Sequence, residues 1–133
     1  MIVPRREFLI IAGVTLLGRR AAAQPGDSSD HHGNMYGLIG KMTATPGQRD
    51  ALAAILLGGT GAMPGCLSYI IAGDPAEPDA LWITEVWDSV ESHRASLNLP
   101  AVQAAIAKGR PLIAGFSNRT ETSPIGGYGL PAR

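Results

Sequence analysis

The chain has 133 residues, with 11 basic and 11 acidic side chains and a hydrophobic share of 45%. Balanced charge without a basic patch argues against nucleic acid and anionic membrane surfaces as partners. A single cysteine, Cys66, forms neither an internal disulfide nor a cysteine metal cluster.

The N-terminus reads as a targeting segment. Pro4-Arg5-Arg6-Glu7-Phe8-Leu9 carries paired arginines, an apolar run continues to Leu17, and Ala21-Ala22-Ala23 follows. A basic start, an apolar centre and an A-x-A site predict a signal peptide over 1–23, cleaved after Ala23. The paired arginines predict export by the twin-arginine (Tat) route and a periplasmic protein. About 10 apolar residues fall well short of the roughly 20 that span a bilayer, so no stable membrane insertion is expected. Loss of Arg5, Arg6, Arg19, Arg20 and Glu7 would leave 7 basic against 10 acidic side chains.

Residues 24–34 are polar, rich in turn formers and without periodicity, which predicts a flexible leader. His31 and His32 lie in it, and adjacent histidines in such a segment are read as carrying no metal. The ordered domain is expected over 35–122, with an irregular C-terminal tail over 123–133.

Within that domain, Tyr36 to Thr43 alternates and predicts a first strand. Pro46 at a helix start, then Gln48 to Leu57, predicts a helix with Ala51, Leu52, Ile55 and Leu56 on its apolar face. Gly58-Gly59 ends it, and Met63-Pro64-Gly65 forms a turn before a strand over Cys66 to Ala72. A loop through Gly73-Asp74-Pro75 leads to a third strand, Leu81 to Trp87. Helical pieces follow at Ser89 to Ser96 and from Pro100, the second disrupted at Gly109 and Pro111. Phe116 to Thr122 supplies the last strand.

This order, β-α-β-β-α-β, is the split pattern of ferredoxin-like α+β folds. Helices then cover one face of an antiparallel sheet, and a second copy of the chain is the natural cover for the other. A homodimer with sheets packed face to face is the expectation.

The third strand is the most informative stretch. Alternation sets Leu81, Ile83, Glu85 and Trp87 on one face, and Trp82, Thr84 and Val86 on the other. Glu85 is thus a carboxylate amid apolar neighbours, and must be hydrogen-bonded, paired or shifted in pKa. The helix that follows presents His93 close to this strand. A titratable pair beside tryptophans is the best candidate for chemistry, and Tyr69 on the neighbouring strand and Asn98 after the helix add polar groups. Each residue also has a purely structural reading, with Glu85 bonded to backbone or to Arg94 or Arg119, and the tryptophans serving as packing.

The chain resembles the antibiotic biosynthesis monooxygenase (ABM) domain family, which includes small quinol monooxygenases. The resemblance rests on Tyr36-Gly37-Leu38-Ile39-Gly40-Lys41, Met63-Pro64-Gly65-Cys66, Trp82-x-x-Glu85-x-Trp87, His93-x-x-Ser96 and Pro111-Leu112-Ile113. It covers roughly residues 35–122 and implies a dimeric α+β barrel with a cavity between sheet and helices. It also implies a cofactor-independent oxidoreductase that oxidises a small quinol or polyphenol with O2, using neither metal nor flavin. On that reading His93 is the proton acceptor and Glu85 orients it or a substrate hydroxyl. Trp82, Trp87, Tyr69 and Asn98 would line the substrate slot.

Two departures stand out. The second histidine that many relatives carry after the helix is absent from Ser96-Leu97-Asn98-Leu99-Pro100. At the places where haem-degrading relatives have a tryptophan and a histidine stand Ser96 and Ile106, so haem degradation is not implied. The alternative to an enzyme is a non-catalytic dimeric module that binds or senses a small aromatic ligand in the same cavity.

Overall fold

The computed structural model describes residues 34–131. The targeting segment, almost all of the leader with His31 and His32, and the last two residues therefore lie outside the described part.

Four strands and three helices follow the predicted order: β1 (Tyr36–Ala44), α1 (Arg49–Gly59), β2 (Cys66–Gly73), β3 (Ala80–Trp87), α2 (Val90–Ser96), α3 (Pro100–Gly109) and β4 (Ile113–Thr122). A single 3-10 turn, Arg110–Leu112, joins α3 to β4. The sheet runs β2-β3-β1-β4, with each neighbouring pair antiparallel. This is the ferredoxin-like α+β arrangement.

Register explains which side chains meet. Leu38 pairs with Glu85 and Met42 with Leu81 across β1 and β3, and Tyr69 pairs with Glu85 across β2 and β3. Directly paired residues share a sheet face. Leu81 and Ile83 on β3 and Met42 and Ala44 on β1 therefore face the helices. There they form a buried core with Leu52 and Leu56 of α1 and Ile113 of β4. Helices α1 and α3 approach closely because Gly59 has no side chain: a Cβ there would collide with the Ala105 methyl.

Two sequence expectations are corrected. Pro46 does not open α1, which begins at Arg49. The Gln48 amide instead bonds the Thr45 carbonyl at 3.0 Å, and Gly47 has φ +77°. That hydrogen bond and positive φ belong to a type II turn, where proline at the second position and glycine at the third are favoured. The last strand starts at Ile113, three residues before the predicted Phe116. Its pairing with β1 shifts register at its start, between Thr43 and Ala44 of β1, and again between Ile39 and Lys41, where Asn118 opposite has φ 53°. A bulge interrupts the alternation by which a strand is recognised.

The outer sheet face is polar at one end. Lys41 lies 3.1 Å from Asp74 and 2.7 Å from Glu77, and Asp74 also accepts the Trp82 indole N–H at 2.8 Å. These contacts tie the β2–β3 loop across the sheet. Towards the other end Ile70 remains 54% exposed beside half-buried Ile39, Thr84 and Val86. None of the described helices is long and apolar enough to cross a membrane.

Candidate active site

Strand alternation delivers Glu85 and Trp87 to the helix-facing side, and α2 delivers His93 onto them. The Ser89 hydroxyl caps α2 by accepting the Ser92 amide at 3.1 Å, a contact worth about 1 kcal/mol. Gly65 fixes where the helix lies. Its φ is +81°, and a Cβ there would strike the Ser92 side chain, while its carbonyl accepts the Asp88 amide at 2.9 Å.

Glu85 is 3% exposed and His93 1%. The Trp87 indole N–H donates to Glu85 Oε2 at 2.8 Å, and His93 Nε2 stands 3.6 Å from the same oxygen. The second distance is too long for a formed hydrogen bond. Both neighbours address Oε2, so Oε1 is left without a protein partner among the described residues. The imidazole is clamped between two rings: Trp87 meets it edge-on with centroids 5.4 Å apart, and Tyr36 lies tilted at 5.0 Å. His93 Nδ1 is buried and unpartnered.

Burial sets the protonation of this pair. Desolvation pushes Glu85 up to about 7, against the opposing pull of the Trp87 hydrogen bond and the Arg119 charge. Desolvation pushes His93 down to about 4, helped by Arg119. Between those values the carboxyl holds its proton and the imidazole is neutral, so the pair buries no net charge. Burial thus makes His93, the proton acceptor that the resemblance implies, a weaker base than its residue type suggests. The group poised near neutral pH is the carboxyl.

A cavity of about 60 Å³ opens beside the pair. Glu85, Trp87, His93 and Tyr69 line it, together with apolar Leu56, Met63, Val102 and Ile106. Thr60 and Ser96 also reach it, but their hydroxyls are committed to the carbonyls of Leu56 and His93. The Tyr69 hydroxyl has no hydrogen-bond partner among the described residues, and burial holds it well above its ordinary pKa. Glu85 Oε1, the Tyr69 hydroxyl and the ring nitrogens of His93 are thus the side-chain polar atoms of the lining without a formed hydrogen bond. A benzene ring occupies a cavity of about 150 Å³, so an aromatic guest must displace part of this wall, and half-buried Met63 is its most adaptable member.

Four of the six sequence candidates therefore meet: Glu85, His93, Trp87 and Tyr69. Trp82 does not join them, because it lies on the opposite sheet face with its indole bonded to Asp74. Asn98 is exposed beyond the end of α2 and outside the cavity lining. Sequence reading missed Tyr36 and Glu121 and named Arg119 only as a possible partner of Glu85; the three gather behind His93. The Tyr36 hydroxyl donates to Glu121 Oε1 at 3.1 Å, and Arg119 pairs with that oxygen at 2.7 Å. Alternation in β1 was the available signal for Tyr36, but the register with β4 was not.

The described residues contain no cluster of three or more histidine, cysteine or acidic groups placed to hold a metal ion. The profile of the antibiotic biosynthesis monooxygenase family matches residues 35–108.

The chain belongs to this family.

Solved structures agree. A candidate antibiotic biosynthesis monooxygenase of Chloroflexus aurantiacus J-10-fl is 69% identical over 73% of this chain and 99% of its own, with a TM-score of 0.71. PA3566 of Pseudomonas aeruginosa, at 20% identity over 73% and 100% of the two chains, shares the fold with a TM-score of 0.64. So does a candidate antibiotic biosynthesis monooxygenase of Caulobacter crescentus CB15, at 18% identity over 71% and 93%, also with 0.64. Among curated proteins, none matches the chain. ABM proteins are typically dimeric.

Proposed function

We propose that this ABM protein is a cofactor-independent monooxygenase acting on a small hydroxylated aromatic ring, with a quinol as the substrate class and O2 as the oxidant. The observation that carries the proposal is Glu85. It is a carboxyl poised near neutral pH, pinned through one oxygen and with the other uncommitted beside the cavity. A base whose pKa lies near the working pH is the efficient one.

In this proposal Glu85, as the carboxylate, takes a phenolic proton, and Tyr69 holds an oxygen of the ring. The quinol anion passes one electron to O2, and the resulting radicals combine to a ring peroxide. Glu85 returns its proton to that peroxide. The ring carbon then gives its proton to the Glu85 carboxylate as the O–O bond breaks, one oxygen staying as a carbonyl and the other leaving as hydroxide, which becomes water once Glu85 has released that proton to solvent. One quinol and one O2 give one hydroxylated quinone and one water. The apolar wall keeps bulk water from the anion and the peroxide.

Two copies would pack their outer sheet faces, covering Ile39, Ile70 and Val86. The targeting segment would place the reaction in the periplasm. The test is oxygen uptake by the chain from Gln24 onward with a panel of single-ring hydroquinones and catechols. Uptake of one O2 per ring oxidised is expected, and no uptake above the enzyme-free rate with any of them would overturn the proposal.

A further inference from the structure

The cluster behind His93 has no part in the chemistry described so far. Glu85 is buried, and the proposed reaction needs it deprotonated before each turnover. Its immediate polar neighbours are Trp87, which only donates, and His93, whose Nε2 faces Oε2 at 3.6 Å. The imidazole's second nitrogen is buried and unpartnered. Its ring also lies against Tyr36, whose hydroxyl is bonded to Glu121. Glu121 is exposed to solvent and held in place by Arg119. Buried acid, imidazole, phenol and surface carboxylate thus follow one another across the inner sheet face, from β3 through α2 and β1 to β4.

We propose that His93, Tyr36 and Glu121 form a proton path between buried Glu85 and solvent. This deepens the oxygenase reading and rests on it for its catalytic purpose. The proton of the Glu85 carboxyl passes to His93 Nε2. The transient imidazolium releases its other proton from Nδ1, through the Tyr36 hydroxyl or one intervening water, to the Glu121 carboxylate. One proton enters the imidazole and one leaves, and Glu121 exchanges with solvent. Tyr36 conducts without ionising, since its hydroxyl oxygen can accept while its proton is donated to Glu121.

The charged and titratable groups around the imidazole suit a carrier better than a store. Glu85 faces it from β3, Tyr36 from β1, Arg119 and Glu121 from β4, and Arg94 belongs to its own helix. Arg119 and Arg94 disfavour its protonated form and Glu121 favours it. An imidazole that is readily stripped of its extra proton passes protons on rather than trapping them. Tyr36 and Glu121 touch no substrate in this scheme. They are positioning and relay groups.

The test uses the full chain labelled with [15N]histidine and measures exchange of the His93 ring N–H with water by NMR. Tyr36→Phe keeps the ring against His93 and removes the hydroxyl, while Glu121→Gln removes the terminal acceptor. Exchange at least tenfold slower than in the unaltered protein is expected in each, with the backbone amide spectrum retained. Should either variant lose that spectrum, the other and Glu121→Asp, which restores the carboxylate, give the reading. With an active quinol, kcat should fall, KM should hold, and formate or imidazole buffer should restore kcat. Unchanged His93 exchange in the folded variants would overturn the path. Exchange needs no substrate, so slowed exchange in a protein that oxidises no quinol would sink the oxygenase reading and leave the path standing.

Discussion

Replacing Glu85 by glutamine is expected to give a protein that is more stable above pH 7 and nearly without turnover. A carboxyl titrating at about 7 in the fold, against an ordinary 4.5, keeps its proton longer folded than unfolded. Stability therefore falls as pH rises from about 4.5 to 7 and stays at the lower level beyond. At about 1.4 kcal/mol per pH unit, the loss amounts to roughly 3 kcal/mol. Glutamine fills the same space, offers Trp87 an oxygen to donate to, and carries no charge to desolvate. His93 acts at the other end. With its folded pKa down at about 4, it costs stability as pH falls from about 6.5, and Glu85→Gln leaves that acid-side decline in place. Denaturant unfolding at pH 5 and pH 8 separates these effects. The gain should be near its full value at pH 8 and small at pH 5, while quinol turnover falls about 10²–10⁴-fold. Equal stability of the two proteins at pH 8 would show that the carboxylate is well solvated.

Trp87→Phe is expected to move the pH dependence of turnover upward rather than to weaken substrate binding. After desolvation, the strongest influence on Glu85 is the Trp87 hydrogen bond, which opposes the rise. Phenylalanine retains most of the packing against His93 and leaves Oε2 without its donor. A hydrogen bond to a charged acceptor is worth roughly 1.5–3 kcal/mol, or about 1–2 pH units. The rising limb of the rate profile should move by that amount, so turnover drops about five- to fiftyfold near pH 7 and recovers towards pH 9. A profile that keeps its midpoint while KM rises at every pH would instead make Trp87 a wall on which the substrate stacks. In a Glu85→Gln background the indole should have no effect on the profile.

Element order was legible because each strand and helix carries its own period and its own punctuation. Where one residue fits two local structures, reading failed. Pro46 suits both a helix start and the second position of a turn, and Gly47 with its positive φ decides for the turn. The start of β4 was hidden by its bulge. For the site, one alternating strand was enough to set Glu85 and Trp87 towards the helices. The same alternation sends Trp82 to the other face, where Asp74, eight residues earlier, takes up its indole. Counting both tryptophans as walls of one slot ignored that consequence. The cluster of Tyr36, Arg119 and Glu121 depends on β1 lying beside β4, which joins residues 85 apart, and no local pattern reports such a register. Protonation was also out of reach. The low value at His93 and the high one at Glu85 come from burial in the assembled core, whereas residue type alone suggests the reverse pairing of acid and base.

The central claim is that the Glu85 carboxyl stays protonated in slightly acid solution and ionises near neutrality, beside a neutral imidazole. Infrared difference spectra of the unaltered protein against Glu85→Gln, titrated from pH 5 to pH 9, address it directly. The account expects a protonated-carboxyl stretch in the unaltered protein alone, present at pH 5 and lost with a midpoint near 7. A carboxyl already ionised at pH 5 would contradict it.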